Sequence, residues 1–189
     1  QELGNVSAKL ILGSKLREIQ NYTDAIAYLK PIAEAGNFEA IHELALALVG
    51  LKEYQNAYSV LHPLAIKQPL NPRYLYSLAI IEKQLGNMKS YLEHTVLSGE
   101  LGFLYAMKDL GFYFKFEKDF EKSEYWFEKA AQVGDAISLA EFGFCFYFKR
   151  DLEKAEHYLD QACRKGAAGF YKLMHGEILK DLNRTDEAL

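Results

Sequence analysis

The chain has 189 residues, 50% of them hydrophobic and 25% charged, with a formal net charge of −4. This is the profile of a folded chain rather than a disordered one, and the length suits one globular domain or a short repeat array. An acidic balance with scattered Lys and Arg excludes the basic face that a nucleic-acid binder needs to displace counterions.

Residue 1 is Gln rather than Met, so a processed or truncated piece is expected, with a cytoplasmic or a bacterial periplasmic or envelope location both left open. Sequons at Asn5, Asn21 and Asn183 carry little weight without evidence of secretion. Prolines number four and none follows Pro72, which leaves room for long helices.

In the first unit (5–36), small residues Gly13 and Ala25 stand twelve apart within an apolar pattern of Leu12, Leu16, Tyr22 and Leu29, and Gly36 ends it. The second unit (37–69) repeats this with Ala45 and Ala57 among Leu44, Leu48, Tyr54 and Leu61. Its longest charge-free stretch, Tyr54–Ile66, is shorter than the ~18–20 residues of a membrane span. Pro31 and Pro63 fall six residues after Ala25 and Ala57, so the two second helices are expected to bend or break alike. The third unit (70–102), introduced by Pro69 and Pro72, matches worst: its crossing pair reads as Leu78 and Ser90, with Ser77 and His94 at apolar positions. A local change of superhelical angle is expected near 68–95. The fourth unit (103–134) carries Gly111 and Ser123 with Leu110, Phe114, Phe120 and Phe127, then Gly134. The fifth (135–167) carries Gly143 and Ala155 with Phe142, Phe146, Leu152 and Leu159, then Gly166. The sixth (168–189) begins with Gly176 and Leu179 and stops at Ala188-Leu189, inside its second helix.

The second small residues recur at gaps of 32, 33, 33, 32 and 33. Offsets of three, four and seven around each form one helical face, and paired small residues mark where two antiparallel helices approach closely. The expected fold is therefore all-α: a right-handed α-solenoid of antiparallel helix-turn-helix repeats, one array of about five and a half units over 1–189.

Leu110-Gly111, Tyr125–Ala131 and Gly134-Asp135-Ala136, together with Ala33–Asn37, Ala40 and Leu44, resemble the tetratricopeptide repeat and Sel1-like repeat families. The period is nearer the tetratricopeptide form, and the long glycine-containing connector of Sel1 hairpins is missing, since only Lys115–Asp119 links two helices in the fourth unit. The resemblance implies a binding groove lined by first-helix residues at set offsets from the crossing point. Carried onto this chain, those offsets select Tyr105, Lys108, Phe112, Lys115 and Phe116 in the fourth unit. They select Ile137, Phe144, Tyr147 and Phe148 in the fifth, and Phe170 in the sixth. Fifteen of the twenty-six aromatic residues lie between Phe103 and Phe148. Phe114 and Phe146 should face the core, whereas Phe112, Tyr147 and Phe148 should not; burial between neighbouring units is the competing reading. The N-terminal face, including Glu39 and His42, is mixed and less aromatic. No Asn follows a crossing residue, which argues against an adaptor for acidic chaperone tails.

Chemistry is sparse. His42-Glu43 starts like a zinc-protease motif, but Leu46 stands where the second His belongs, and the other histidines lack metal-ligand spacing. No catalytic residue, metal or cofactor is expected. Cys145 and Cys163 fit either a disulfide or two small apolar fillers. The sequence thus reads as a non-enzymatic module that binds a protein or peptide in a concave aromatic groove, with Lys108 and Lys115 favouring acidic flanks. A scaffold or chaperone subunit of a bacterial envelope or secretion complex, and a regulatory fragment of a larger enzyme, are the alternatives. Homo-oligomerisation is left open.

Overall fold

The computed structural model of the chain describes residues 2–182. The described residues form eleven helices and no strand: α1 (Glu2–Glu18), α2 (Tyr22–Glu34), α3 (Phe38–Gly50), α4 (Tyr54–Lys67), α5 (Pro72–Gln84), α6 (Met88–Glu100), α7 (Leu104–Phe116), α8 (Phe120–Gln132), α9 (Ala136–Phe148), α10 (Leu152–Arg164) and α11 (Phe170–Asp181). The sixth unit's Ala188 and the sequon at Asn183 lie outside the described residues. Two compact units divide the chain, Gln1–Phe103 with α1–α6 and Leu104–Leu189 with α7–α11. Within each, consecutive helices pack as antiparallel hairpins, the expected all-α solenoid of helix-turn-helix repeats.

Local sequence sets the helix ends. Asn37, Asn71 and Asp135 sit at N-caps, where their side-chain oxygens accept from the backbone amides of Ala40 (2.9 Å), Arg73 (3.1 Å) and Ser138 (2.9 Å). Gly36, Gly134 and Gly166 follow second helices with φ of 86°, 87° and 93°, a left-handed conformation that favours glycine. The turns inside the hairpins are less accommodating: Gln20, Lys52, Lys118 and Arg150 hold φ near +62° without being glycine, and only the third hairpin places a glycine, Gly86, there. Pro31 and Pro63 do not break their helices; α2 and α4 run on past them to Glu34 and Lys67.

The small residues lie at helix crossings. A Cβ placed on Gly13 would come within 2.6 Å of Leu29 Cγ, and one on Gly111 within 2.6 Å of Phe127 Cε1. Ala25, Ala45, Ala57 and Ala155 are fully buried, and the Ser123 hydroxyl donates to the Gly111 carbonyl at 2.9 Å. The third hairpin differs from expectation. Its crossing residue is Ala79, preceded by buried Leu78 as Ala45 is by Leu44, and the α6 position matching Ala25 is Tyr91 rather than Ser90. Each second-helix residue here stands three after its helix start, so the true gaps from Ala25 are 32, 34, 32 and 32. Two extra residues sit around the Gln68–Asn71 connection, which keeps the mean period at 32–33 while shifting this one register. Tyr91, completely buried, stands where the other second helices carry Ala or Ser. The third unit is therefore no poorer a repeat; its crossing is simply built large against small.

A polar device also recurs. Arg17 of α1 donates to buried Glu43 of α3 at 2.7 Å, and Lys115 of α7 pairs with buried Glu141 of α9. Both pairs are separated by 26 residues and join the first helix of one repeat to that of the next. Beside Glu43, His42 is 2% exposed, its Nε2 lies 2.8 Å from Ser77 Oγ, and its ring packs on Tyr74 at 5.1 Å. Burial and the nearby Arg73 guanidinium hold the imidazole down at about 4.

Candidate functional site

The compact unit Leu104–Leu189 contains a cavity of about 320 Å³ bounded by the last turn of α7, the first half of α8 and the second half of α9. Its walls are Phe120, Phe127, Phe144 and Phe148, with Cys145 and Ser123 between them. Helical spacing creates this wall: Phe144 and Phe148 are four apart on α9, and Phe120 and Phe127 seven apart on α8, so each pair shares a face. Two ion pairs edge it, Lys115 with Glu141 and Lys149 with Glu124. Both lysines are solvent-facing, while Glu141 is buried and also accepts from the Tyr171 hydroxyl at 3.1 Å. Hydrogen bonding to Glu124 raises the Lys149 pKa, and burial followed by the Tyr171–Glu141 interaction pushes the phenol to about 12.

Of the residues selected from sequence, Lys115, Phe144 and Phe148 meet in this cavity. Phe112 stands next to it, edge-on to Phe127 with centroids 5.0 Å apart and 40% exposed. Phe116 and Phe148 are the most exposed rings, at 84% and 78%. Tyr105, Ile137 and Phe170 are exposed and line none of it, and Tyr147 is half-buried against Phe148 at 5.9 Å. Phe144 is 7% exposed and packs on Phe170 and Tyr171, so it belongs to the core as well as to the cavity wall. Phe146 is half-buried and stacks on Tyr158 at 5.6 Å against the core cluster, and Phe114 is likewise half-buried and lies under the Lys122 ammonium. Lys108 is engaged with Asp135 at 3.0 Å and Lys115 with Glu141, so the chain's own carboxylates occupy the two lysines assigned to acidic ligand flanks.

Sequence offsets missed Phe120 and Phe127 because they consider first helices alone and this cavity is closed by a second helix, and they missed Lys149 because it falls one residue past the last offset from Gly143, at the C-cap of α9. The concentration of rings between 103 and 148 was the available signal. Cys145 and Cys163 are free thiols. Burial, reinforced by Glu124 and Glu141, pushes the Cys145 thiol to about 11, which leaves it protonated and a poor nucleophile. No helix among the described residues is long and apolar enough to cross a membrane.

No protein-family model matches the chain, and no curated protein matches it in sequence. Solved structures do match in fold. Pseudomonas aeruginosa PilF superposes with a TM-score of 0.77 at 17% identity, covering 97% of this chain and 86% of that one. A protective antigen of uropathogenic Escherichia coli described as an SLR fold, c5321, gives 0.73 at 23% identity over 93% of this chain and 41% of its own. The C-terminal part of a TPR repeat-containing protein from Cytophaga hutchinsonii gives 0.68 at 15%, covering 92% and 71%. The chain has the fold of the tetratricopeptide and Sel1-like repeat proteins, a class of stacked helical repeats whose members bind through extended surfaces.

Proposed function

We propose that the chain is a non-catalytic protein-interaction module, one array of about five and a half repeats, which holds a peptide segment of a partner protein in an aromatic groove of its second compact unit, Leu104–Leu189. The groove comprises the residues selected from sequence around Phe112, Phe144 and Phe148, extended by Phe120 and Phe127. The observation that carries this reading is the apolar cavity of about 320 Å³, with Phe120 and Phe148 left 65% and 78% exposed beside it. Exposed rings next to an apolar hollow are the arrangement that an anchoring side chain of a partner completes. An aromatic or leucine anchor entering it would meet ring edges and faces, geometry that rewards a ring beyond its buried area. Because Lys115 and Lys149 are already paired, acidic flanks on the ligand would contribute through exchange of partners rather than through free charge.

Displayed random peptides selected on the intact chain test this directly. Selected peptides should share one bulky apolar anchor and should lose binding to the cavity-filling variant Cys145→Phe and to Phe120→Ser/Phe148→Ser. Equal binding to all three proteins, with folding intact by circular dichroism, would refute the assignment.

A further inference from the structure

The compact unit Gln1–Phe103 holds a second feature, independent of the aromatic groove. On α3, Glu39, His42 and Glu43 occupy positions i, i+3 and i+4, so they share one helical face. One potential ligand atom from each lies within 4.8 Å of the others. His42 is 2% exposed, and its Nδ1 is buried without any hydrogen-bond partner, 3.9 Å from Glu43 Oε1. A ring nitrogen removed from water and left unpaired beside two carboxylates needs an explanation.

The surroundings supply the outer contacts that ligands of a metal ion require. The His42 Nε2 meets Ser77 Oγ at 2.8 Å, and with Nε2–H donating to that hydroxyl the Nδ1 lone pair faces Glu43. Arg17 Nε holds Glu43 through Oε2 at 2.7 Å, which leaves Oε1 as the oxygen nearest the imidazole. Arg73 holds Glu39 through Oε1 at 3.4 Å, and this half-exposed carboxylate is the mobile member of the set. Ligand atoms around a tetrahedral zinc ion lie roughly 3.3 Å apart, given bonds of ~2.0–2.1 Å. Closing the set therefore takes a swing of the Glu39 side chain and leaves the α3 backbone in place, with water completing the shell.

We propose that Glu39, His42 and Glu43 form a binding site for one divalent first-row transition-metal ion, zinc foremost. One imidazole nitrogen with two carboxylate oxygens favours that class over Mg²⁺ and Ca²⁺, which take oxygen ligands alone. Arg17 and Arg73 orient the carboxylates but place two positive charges near the ion, so the affinity is moderate. A search for paired histidines overlooks this set because it contains a single imidazole.

The test uses the tag-free full chain, treated with chelator and dialysed. Titration with ZnCl₂ should saturate near one ion per chain and raise the thermal midpoint, whereas MgCl₂ should do neither. Co²⁺ should give a visible ligand-field band without thiolate charge transfer, which separates this site from Cys145 and Cys163. Glu39→Gln, at a half-exposed position, should weaken Zn²⁺ by roughly tenfold or more without unfolding the chain, and Arg73→Gln should tighten it. Non-saturating Zn²⁺ binding, unchanged affinity in Glu39→Gln, or a thiolate band with Co²⁺ would each overturn the proposal. These readouts are indifferent to peptide binding in the second compact unit.

Discussion

Replacing Gly111 and Gly143 by Ala, one at a time, tests how tightly each hairpin closes. A methyl group on Gly111 would sit 2.6, 2.8 and 2.9 Å from Cε1, Cδ1 and Cζ of Phe127. Carbon atoms rest at about 3.5–4.0 Å, so the ring must retreat by about 1 Å. Phe127 is 1% exposed and is held by the edge of Phe112, which makes that retreat an overpacking cost of about 1–3 kcal/mol. Alanine recovers about 1 kcal/mol of helix propensity over glycine, leaving a net loss of about 1 kcal/mol. On Gly143 the same methyl group would lie 3.2 Å from the Ala155 carbonyl oxygen and Tyr158 Cβ and 3.3 Å from Leu159 Cγ, contacts relieved by shifts of a few tenths of an ångström. There the propensity gain offsets the strain, and the net change is expected within about 0.5 kcal/mol of zero. Urea unfolding followed by circular dichroism and by fluorescence of Trp126, the sole tryptophan and a neighbour of Phe127 on α8, reads both variants. Equal midpoints, or a greater loss for Gly143→Ala, would show that the two crossings are not packed as described.

Other substitutions probe the turns, the third crossing and a cap. Lys118→Gly relieves a left-handed residue at φ 62° in the α7–α8 turn and should raise the stability read from urea unfolding by up to about 1 kcal/mol, whereas Lys118→Val should lower it. Tyr91→Ala empties a completely buried site and should cost about 3–5 kcal/mol; a mild effect in urea unfolding would return the crossing to Ser90. Asp135 caps α9, and although its burial acts to raise the pKa, bonds from the Ser138 amide and hydroxyl and from Lys108 prevail and lower it. Its stabilising contribution is thus present at neutral pH and is lost as pH falls through the depressed folded-state value. The stability gap between wild type and Asp135→Ala, about 1 kcal/mol near neutrality, should narrow as pH falls through that depressed value.

Much of this architecture was legible in the amino-acid order. Paired small residues such as Gly13 with Ala25 and Gly143 with Ala155 declare helix crossings, because two helices approach most closely where neither side chain intervenes. Glycines at 36, 134 and 166 declare helix ends for a different reason, the left-handed backbone that a residue without Cβ adopts most readily. The candidate site was legible in part: the crowding of rings after Phe103 pointed to the second compact unit, and Lys115, Phe144 and Phe148 do meet there.

Tertiary structure decided the rest. Whether Phe144 is groove or core depends on Phe170 and Tyr171 coming against it, which helical spacing on α9 does not encode. The pairing of Lys115 with Glu141, and of Arg17 with Glu43, depends on neighbouring first helices lying side by side. The register of the third hairpin depends on an alternative solution to one packing problem, a buried Tyr91 where the other second helices carry Ala or Ser, that a search for small residues passes over. Periodicity is a property of single helices, and the sequence carries it openly. Contacts between helices depend on the sizes and charges of both partners at once, so they are settled only when the chain packs.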